Sequence, residues 1–182
     1  MVAEFVLPVG DATPAAFAPF GALIAPPAEA PTYRGIQAST WPTGFSCADP
    51  VAVMYTRFGW QEPVFSKVER HRGVTQTFVA LAPRAFVVAV AAPTTSGLAP
   101  MPESLRAFLV PAGHGVIFGE EVWHALDRFL LEPEPLDCVM LTSAVVQAEL
   151  EAQYRGGGAP SRTELVDFAD QGARFRLALP PC

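Results

Sequence analysis

The stretch that decides the fold is "SKVERHRGVTQTFVAL", residues 66–81. Its first half crowds together five charged or titratable side chains, which are Lys67, Glu69, Arg70, His71 and Arg72, and its second half is apolar. On a β-strand alternate residues share a face, so Lys67, Glu69 and His71 point one way while Val68 and Arg70 point the other. The pattern predicts a ligand-binding strand face. A solvated charge cluster on a turn is the alternative.

Composition restricts the class of protein. The 182 residues are 51% hydrophobic, which is enough for one domain with a sizeable core. A formal net charge of −6 leaves no basic stripe for nucleic acid. No apolar run is long enough to cross a membrane, and "MVAEFVLPVG" at residues 1–10 has no basic region typical of a signal peptide. We therefore expect a cytoplasmic protein that binds neither nucleic acid nor membrane.

Short apolar runs, separated by many of the 19 prolines and 14 glycines, predict an all-β sandwich or barrel. The predicted strands are 51–58, 64–71, 75–81, 85–92, 106–111, 115–118, 122–131, 136–145 and 173–179. A short helix is predicted after residue 11, with Asp11 as its N-cap and Gly21 at its end. A helical turn and a flexible glycine linker are predicted for "QAELEAQYRGGGAP", residues 147–160.

Two sequence segments carry candidate site residues. If strands 64–71 and 75–81 form a hairpin, Gln76 returns to the face of Glu69 and His71, which gives the spacing E-x-H-x4-Q. A second histidine, His124, follows in "EEVWHALDRF", residues 120–129. These positions resemble a degenerate cupin pair of motifs, in which Glu69, His71 and Gln76 occupy the histidine, histidine and glutamate positions. In the second motif His124 is retained and Arg128 replaces the asparagine.

Several longer runs of residues are more specific than this spacing. The runs "ERHRGVTQTFVAL", "FVVAVA" and "LRAFLVPAGHGVIFGEEVWHAL", together with "FAPFGALI" near the N-terminus, resemble the ureidoglycolate lyase family in the same order over residues 15–145. The resemblance implies an all-β, cupin-like antiparallel β-barrel, so that residues 1–182 form a single cupin-like domain with an N-terminal extension and a C-terminal tail. It also implies cleavage of (S)-ureidoglycolate to glyoxylate and urea in allantoin catabolism, and a homodimer.

The candidate residues then receive roles. His71, His124 and Glu69 are the predicted catalytic residues, because histidine transfers protons near neutral pH and a carboxylate orients it. Lys67, Gln76 and Arg70 are the predicted substrate-binding residues for a small carboxylate. The family is associated with a divalent metal, and the ligand types of His71, His124, Glu69 and Gln76 suit nickel, manganese or zinc. A site that works without metal is the alternative.

The sequence also departs from the family pattern. Ala125, Leu126 and Asp127 follow His124 where members often read HP, and "MLTSAVVQAEL", residues 140–150, replaces a segment with D-R-G-G and asparagine. Two other functions therefore remain open. One is a cupin enzyme that acts on another small hydroxy or keto carboxylate, and the other is a non-catalytic protein that binds a small acid.

Overall fold

The structure is a computed structural model and describes residues 2–180. Its strands, in chain order, are β1 (Ala3–Asp11), β2 (Gly21–Ile24), β3 (Tyr33–Arg34), β4 (Ser39–Thr40), β5 (Val51–Phe58), β6 (Val64–Phe65), β7 (Lys67–His71), β8 (Thr77–Ala80), β9 (Phe86–Ala91), β10 (Arg106–Val110), β11 (Gly115–Phe118), β12 (Trp123–Ala125), β13 (Phe129–Leu130), β14 (Leu136–Ser143), β15 (Thr163–Asp167) and β16 (Ala173–Ala178). The α-helices are α1 (Pro14–Phe17) and α2 (Ala144–Tyr154). Short 3-10 helices occupy Ala18–Phe20, Pro102–Ser104 and Phe168–Gln171.

The strands form two large sheets that enclose a shared interior. One sheet has the order β15-β7-β12-β9-β10-β1-β16-β6, with β13 also paired to β9, and the other has the order β2-β11-β8-β14-β5. The small pair β3-β4 stands apart. The chain is thus mostly β and cupin-like, as the sequence predicted. The barrel is not wholly antiparallel, however, because β1 runs parallel to both β10 and β16.

Strand β9 shows how the larger sheet is held between two cores. All six of its residues are buried, which confirms the strand predicted from the run "AFVVAVAA". Val88 and Val90 face the barrel interior, whereas Val87 and Ala89 face a second core on the outer side of the sheet. Burying one such valine side chain contributes roughly 1.5–3 kcal/mol. Because both faces are covered, β9 fixes the sheet on which β12 and its histidine lie.

Two predicted strands are each divided in the structure. Residues 64–71 break at Ser66 into β6 and β7, and residues 122–131 break into β12 and β13. The expected hairpin between residues 64–71 and 75–81 is also wrong, because β7 pairs with β12 and β15 while β8 pairs with β11 and β14. The turn between β7 and β8 instead carries the chain from one sheet to the facing one. Gly73 has φ +73° in this turn, a conformation that costs glycine little.

The helical segments differ from the prediction in detail. Helix α1 is capped by Thr13, whose hydroxyl accepts from the Ala16 N–H at 3.2 Å, and not by Asp11. Asp11 is the last residue of β1 and pairs with Leu109, so its backbone belongs to the sheet. Gly21 does end this helical region. Helix α2 runs for 11 residues where one turn was expected, and Ser143 caps it by accepting from Val145 and Val146.

The C-terminal part of the chain adds to the larger sheet. Strand β15, which the sequence analysis did not predict, pairs along the whole of β7 from Thr163–His71 to Asp167–Lys67. Strand β16, which it did predict, pairs with β1 and β6. In the part of the chain that the structure describes, neither helix has the length and apolarity that crossing a membrane requires.

Candidate active site

The site is built on neighbouring strands of the larger sheet. In the antiparallel register, His124 on β12 lies directly opposite Glu69 on β7, and Thr163 on β15 lies opposite His71. Paired residues share a face and place their side chains within contact distance. Because residues 69 and 71 also share that face, the three strands deliver a carboxylate, two imidazoles and a hydroxyl to one spot inside the barrel.

The side chains of this cluster converge closely. The Glu69 carboxylate oxygen Oε1 lies 3.5 Å from His71 Nε2 and 3.6 Å from His124 Nε2. Gln76 reaches the same point from the facing sheet, and its Nε2 lies 3.4 Å from His71 Nε2. Both histidines are almost fully buried, and Glu69 retains 14% side-chain exposure. The structure therefore brings together Glu69, His71, Gln76 and His124, although through facing sheets and not a hairpin.

Hydrogen bonds at the Nδ1 atoms fix the orientation of the two imidazole rings. His124 Nδ1 lies 3.1 Å from the Val122 carbonyl, so Nδ1 carries the proton and donates it. His71 Nδ1 lies 2.9 Å from the Thr163 hydroxyl, and the Gln76 amide donates toward Nε2. With the Nδ1 positions engaged in this way, each ring turns the lone pair of Nε2 toward Glu69.

Electrostatics keep the carboxylate charged and His124 neutral. Burial raises the pKa of Glu69, but the hydrogen bonds and charge that His124 and His71 would supply when protonated at Nε2 outweigh it and hold that pKa well below its usual range. Burial lowers the pKa of His124 to about 4, against the opposing influence of Glu69. At neutral pH the Glu69 oxygen thus faces a neutral imidazole nitrogen that has no hydrogen-bond partner.

These groups fit a divalent cation. The candidate ligand atoms of Glu69, His71 and His124 lie within 4.8 Å of one another. Around a metal with bonds of about 2.1 Å, neighbouring ligand atoms are roughly 3.0–3.4 Å apart, so the observed gaps of 3.5 and 3.6 Å need only a small contraction. The unpartnered buried Gln76 Oε1 offers a fourth ligand. A cation would also relieve the facing lone pairs, so a metal site is consistent with this donor set.

An aromatic wall and one buried cation complete the interior. Phe118 stacks on the His124 ring at 4.7 Å between centroids. The guanidinium of Arg128 lies over Phe78 at 4.1 Å, over Phe118 at 4.8 Å and over Phe58 at 5.5 Å. Sequence reasoning noted Arg128 only as a departure from a motif and did not include it among the site residues. That replacement was the available signal, because the other members of a cupin motif face the barrel interior.

Two predicted substrate-binding residues lie apart from the cluster. Lys67 shares the face of Glu69 but is 52% exposed, with Nζ 3.7 Å from Asp167. Arg70 is fully buried on the opposite face, where it pairs with Glu164 at 2.7 Å and lies over Trp123 at 4.5 Å. The alternation along β7 accounts for this placement. The structure thus removes Arg70 from the site and gives it a partner in the outer core.

A pocket of about 160 Å³ leads to Glu69 from outside the barrel. Its walls come from β7, β15, helix α2 and the segment after His124, and its lining residues are Lys67, Glu69, Leu126, Leu150, Gln153, Tyr154, Thr163 and Leu165. Two of these residues, Leu126 and Leu150, lie in the segments that depart from the family pattern. The approach to the carboxylate is therefore shaped in part by those segments.

A small β-barrel that holds two imidazoles, a carboxylate and an amide against an aromatic wall is typical of a cupin enzyme. Residues 5–154 match the family model described as Ureidoglycolate lyase. The chain belongs to the ureidoglycolate lyase family. No curated protein sequence is significantly similar to it.

Solved structures similar to the chain include oxalate decarboxylase from Bacillus subtilis. One is 11% identical, with a TM-score of 0.35, and the match covers 66% of this chain and 34% of that one. Another structure, from a study of a structural element that modulates proton-coupled electron transfer in oxalate decarboxylase, is 12% identical with a TM-score of 0.36. That match covers 71% of this chain and 34% of the other. The chain spans about a third of the length of these enzymes.

Proposed function

We propose that the protein is a carbon–nitrogen lyase that cleaves (S)-ureidoglycolate to glyoxylate and urea. The observation that carries this proposal is the Glu69–His71–His124 cluster inside a barrel that matches ureidoglycolate lyases over residues 5–154. The reaction moves one proton. The substrate O–H bond breaks as the aldehyde forms, the carbon–nitrogen bond breaks, and the departing nitrogen takes up the proton.

His71 is the better placed proton carrier of the two histidines. Because burial disfavours the charged form of His124, that ring is a poor proton acceptor at neutral pH. His71 keeps its Nδ1 proton on Thr163, and its Nε2 lone pair, which faces the Gln76 amide at 3.4 Å, is the atom that takes the hydroxyl proton and returns it to the ureido nitrogen. The adjacent Glu69 carboxylate stabilises the imidazolium that forms between these two transfers, and Gln76 Oε1 remains available to a ureido N–H.

A divalent metal of the nickel, manganese or zinc kind would be held by His71, His124, Glu69 and Gln76. Such an ion supplies Lewis acidity that lowers the pKa of a bound hydroxyl group. If such an ion were bound, His71 and His124 would act as ligands, and their Nδ1 contacts to Thr163 and Val122 would hold the orientation of the rings.

The test follows the release of urea and glyoxylate from (S)-ureidoglycolate. It uses protein treated with a chelator and the same protein supplied with nickel, manganese or zinc. We expect release in at least one condition. No release by folded protein in any of them contradicts the proposal.

The second candidate function is a cupin enzyme that acts on another small hydroxy or keto carboxylate. It is favoured by the lining of the pocket at Glu69, where Leu126 and the α2 residue Leu150 lie in segments that depart from the family pattern. A panel of small 2-hydroxy and 2-keto acids, assayed in parallel with ureidoglycolate, separates the two. Turnover of a panel member with no release of urea selects this alternative.

We further propose that the protein acts in the cytoplasm, in ureide breakdown, as a homodimer. Support for the dimer comes from β5, an edge strand whose outer face exposes Val53 at 69% and Tyr55 at 63%. Exposed apolar edge strands favour pairing with another chain, and two-fold dimers are the commonest oligomers. Light scattering that gives a monomer mass at micromolar concentration contradicts this assembly.

A further inference from the structure

Arg128 is a buried cation without a matching anion. Its residue is 2% exposed. Its Nη1 donates to the backbone carbonyls of Ala125 at 2.9 Å and Asp127 at 3.0 Å, while its Nε has no partner. Across residues 2–180, no carboxylate lies within the 4.0 Å ion-pair distance of this guanidinium. The Glu69 carboxylate attracts Arg128 from beyond this distance. Buried charges are normally paired in direct contact, so the free Nε–H leaves room for an anion from outside the chain.

The side chains in contact with Arg128 carry no negative charge. Phe58, Phe78 and Phe118 contact the guanidinium, but aromatic rings give only a weak attraction in place of a full counter-charge. Burial lowers the pKa of Arg128 to about 10, which leaves the side chain charged at neutral pH. Arg70, which is equally buried, differs in that Glu164 pairs with it. The fold thus places a carboxylate in contact with Arg70, whereas the carboxylate that attracts Arg128, that of Glu69, lies beyond the ion-pair distance and faces both histidines.

The unmatched cation lies beside the proposed reaction centre. Phe118 contacts both the Arg128 guanidinium and the His124 ring. Gln76 Oε1 and His124 Nε2 are, like Arg128 Nε, buried polar atoms without partners. The groups left open are therefore a cationic N–H donor, an amide oxygen and an imidazole lone pair. A small molecule with one carboxylate and further hydroxyl or amide groups complements all three.

We infer that Arg128 is the residue that binds the carboxylate of the substrate, with its free Nε–H donating to a carboxylate oxygen inside the barrel. This assigns the carboxylate to Arg128 and not to Lys67, which is half exposed and lies near Asp167. The identity of the substrate rests on the proposed lyase function. The site for a small carboxylate rests on Arg128 alone and is testable without turnover.

The test measures binding of glycolate by titration calorimetry to the full chain after treatment with a chelator, so that no metal takes up the carboxylate. Glycolamide, the neutral analogue, is the matched ligand control, and Lys67→Met is the matched variant control. We expect Arg128→Met to weaken glycolate binding by roughly 10-fold or more, because a hydrogen bond to a charged group is lost. Lys67→Met should change it by less than about 3-fold, as expected for an exposed charge.

The inference is overturned if the Arg128→Met variant is folded and its affinity for glycolate lies within 2-fold of that of the wild-type protein. Should that variant not fold, the wild-type comparison decides, because equal affinity for glycolate and glycolamide overturns it as well. Glycolate binding that depends on Arg128 without any release of urea rejects the lyase proposal and keeps the carboxylate site. If the Arg128→Met variant releases urea with an unchanged KM, the lyase proposal is supported and the assignment of the carboxylate to Arg128 is rejected.

Discussion

The two faces of the β7–β12 pair treat buried charge in opposite ways. On the outer face, Arg70 is held by Glu164 and by the backbone carbonyl of Thr94 at 2.5 Å. On the inner face, His124 Nε2 and Arg128 Nε are buried without partners. Leaving buried polar atoms unpaired costs free energy, so selection for stability alone removes them. The outer face therefore stabilises the fold, whereas the inner face leaves polar atoms available to a ligand.

The largest expected effect concerns the inner face. Replacing His71 or His124 by alanine should lower the rate of urea release by roughly 10²-fold or more, since each removes a group that moves a proton or holds a metal. Urea release is measured with and without added metal, on protein shown to be folded by circular dichroism. His114→Ala is the control, because His114 lies in the turn before β11, outside the cluster. Full activity in both variants rejects these roles.

The next effect concerns the outer face. Glu164→Gln leaves the buried Arg70 without its counter-charge and should lower the free energy of unfolding by about 2–3 kcal/mol, with allowance for the partial exposure of Glu164. Denaturant unfolding measures this. Arg72→Gln, which removes the second partner of Glu164, is the control. Arg128→Met should cost less than about 1 kcal/mol, because it removes an unpaired charge. Equal losses from Glu164→Gln and Arg128→Met contradict the contrast between the faces.

A third, smaller effect depends on pH. His124 has a pKa of about 4 in the folded protein against 6.5 for a free side chain, so the unfolded chain binds a proton more readily. The resulting stability is complete above pH 6.5 and is lost as the pH falls toward 4. We expect a loss of roughly 2 kcal/mol in metal-free protein over this range. His124→Gln should flatten the profile there, and an unchanged slope contradicts the assignment.

The smallest effect concerns the link between β15 and the site. Thr163→Val removes the hydroxyl that holds His71 Nδ1 but keeps the shape of the side chain. Loss of such an orienting contact lowers activity by about 10-fold. We expect a fall in kcat with little change in unfolding free energy, measured by steady-state kinetics and thermal melting. Thr56→Val on β5 is the matched control, and an equal loss of kcat there contradicts a specific role for Thr163.

Much of this arrangement was predictable from the alternation of side chains between the two faces of a β-strand. Because residues 67, 69 and 71 share a strand face whatever the tertiary fold, the inward direction of Glu69 and His71 followed from the sequence. The apolar run at β9 likewise predicted a strand buried on both sides. The contact of Gln76 with His71 was expected through a hairpin and arises through facing sheets, since both geometries return residue 76 to the same interior.

Other parts depended on contacts that local sequence does not encode. Strand β15, "TELVD", mixes polar and apolar residues in a short edge segment, and only its pairing with β7 defines it as a strand. Arg128 was visible in the sequence only as the replacement of a motif asparagine, and nothing local marked it as buried. Its burial is set by rings from three separate strands, β5, β8 and β11. Arg70 was placed at the site by its neighbours in sequence, although its own alternation already directed it to the opposite face.

The parallel pairing of β1 has a consequence for the order of folding. The first strand of the larger sheet lies between β10 and β16, and it is joined to Ala173–Ala178 over six register positions from Ala3 to Pro8. Contacts this distant in sequence form slowly, because a long loop must close before they stabilise the chain. During synthesis β1 has no β16 to pair with until residues 173–178 have left the ribosome. The nascent protein therefore exposes the Ala3–Pro8 edge of β1 until β16 is made, and it is most prone to aggregate in that interval.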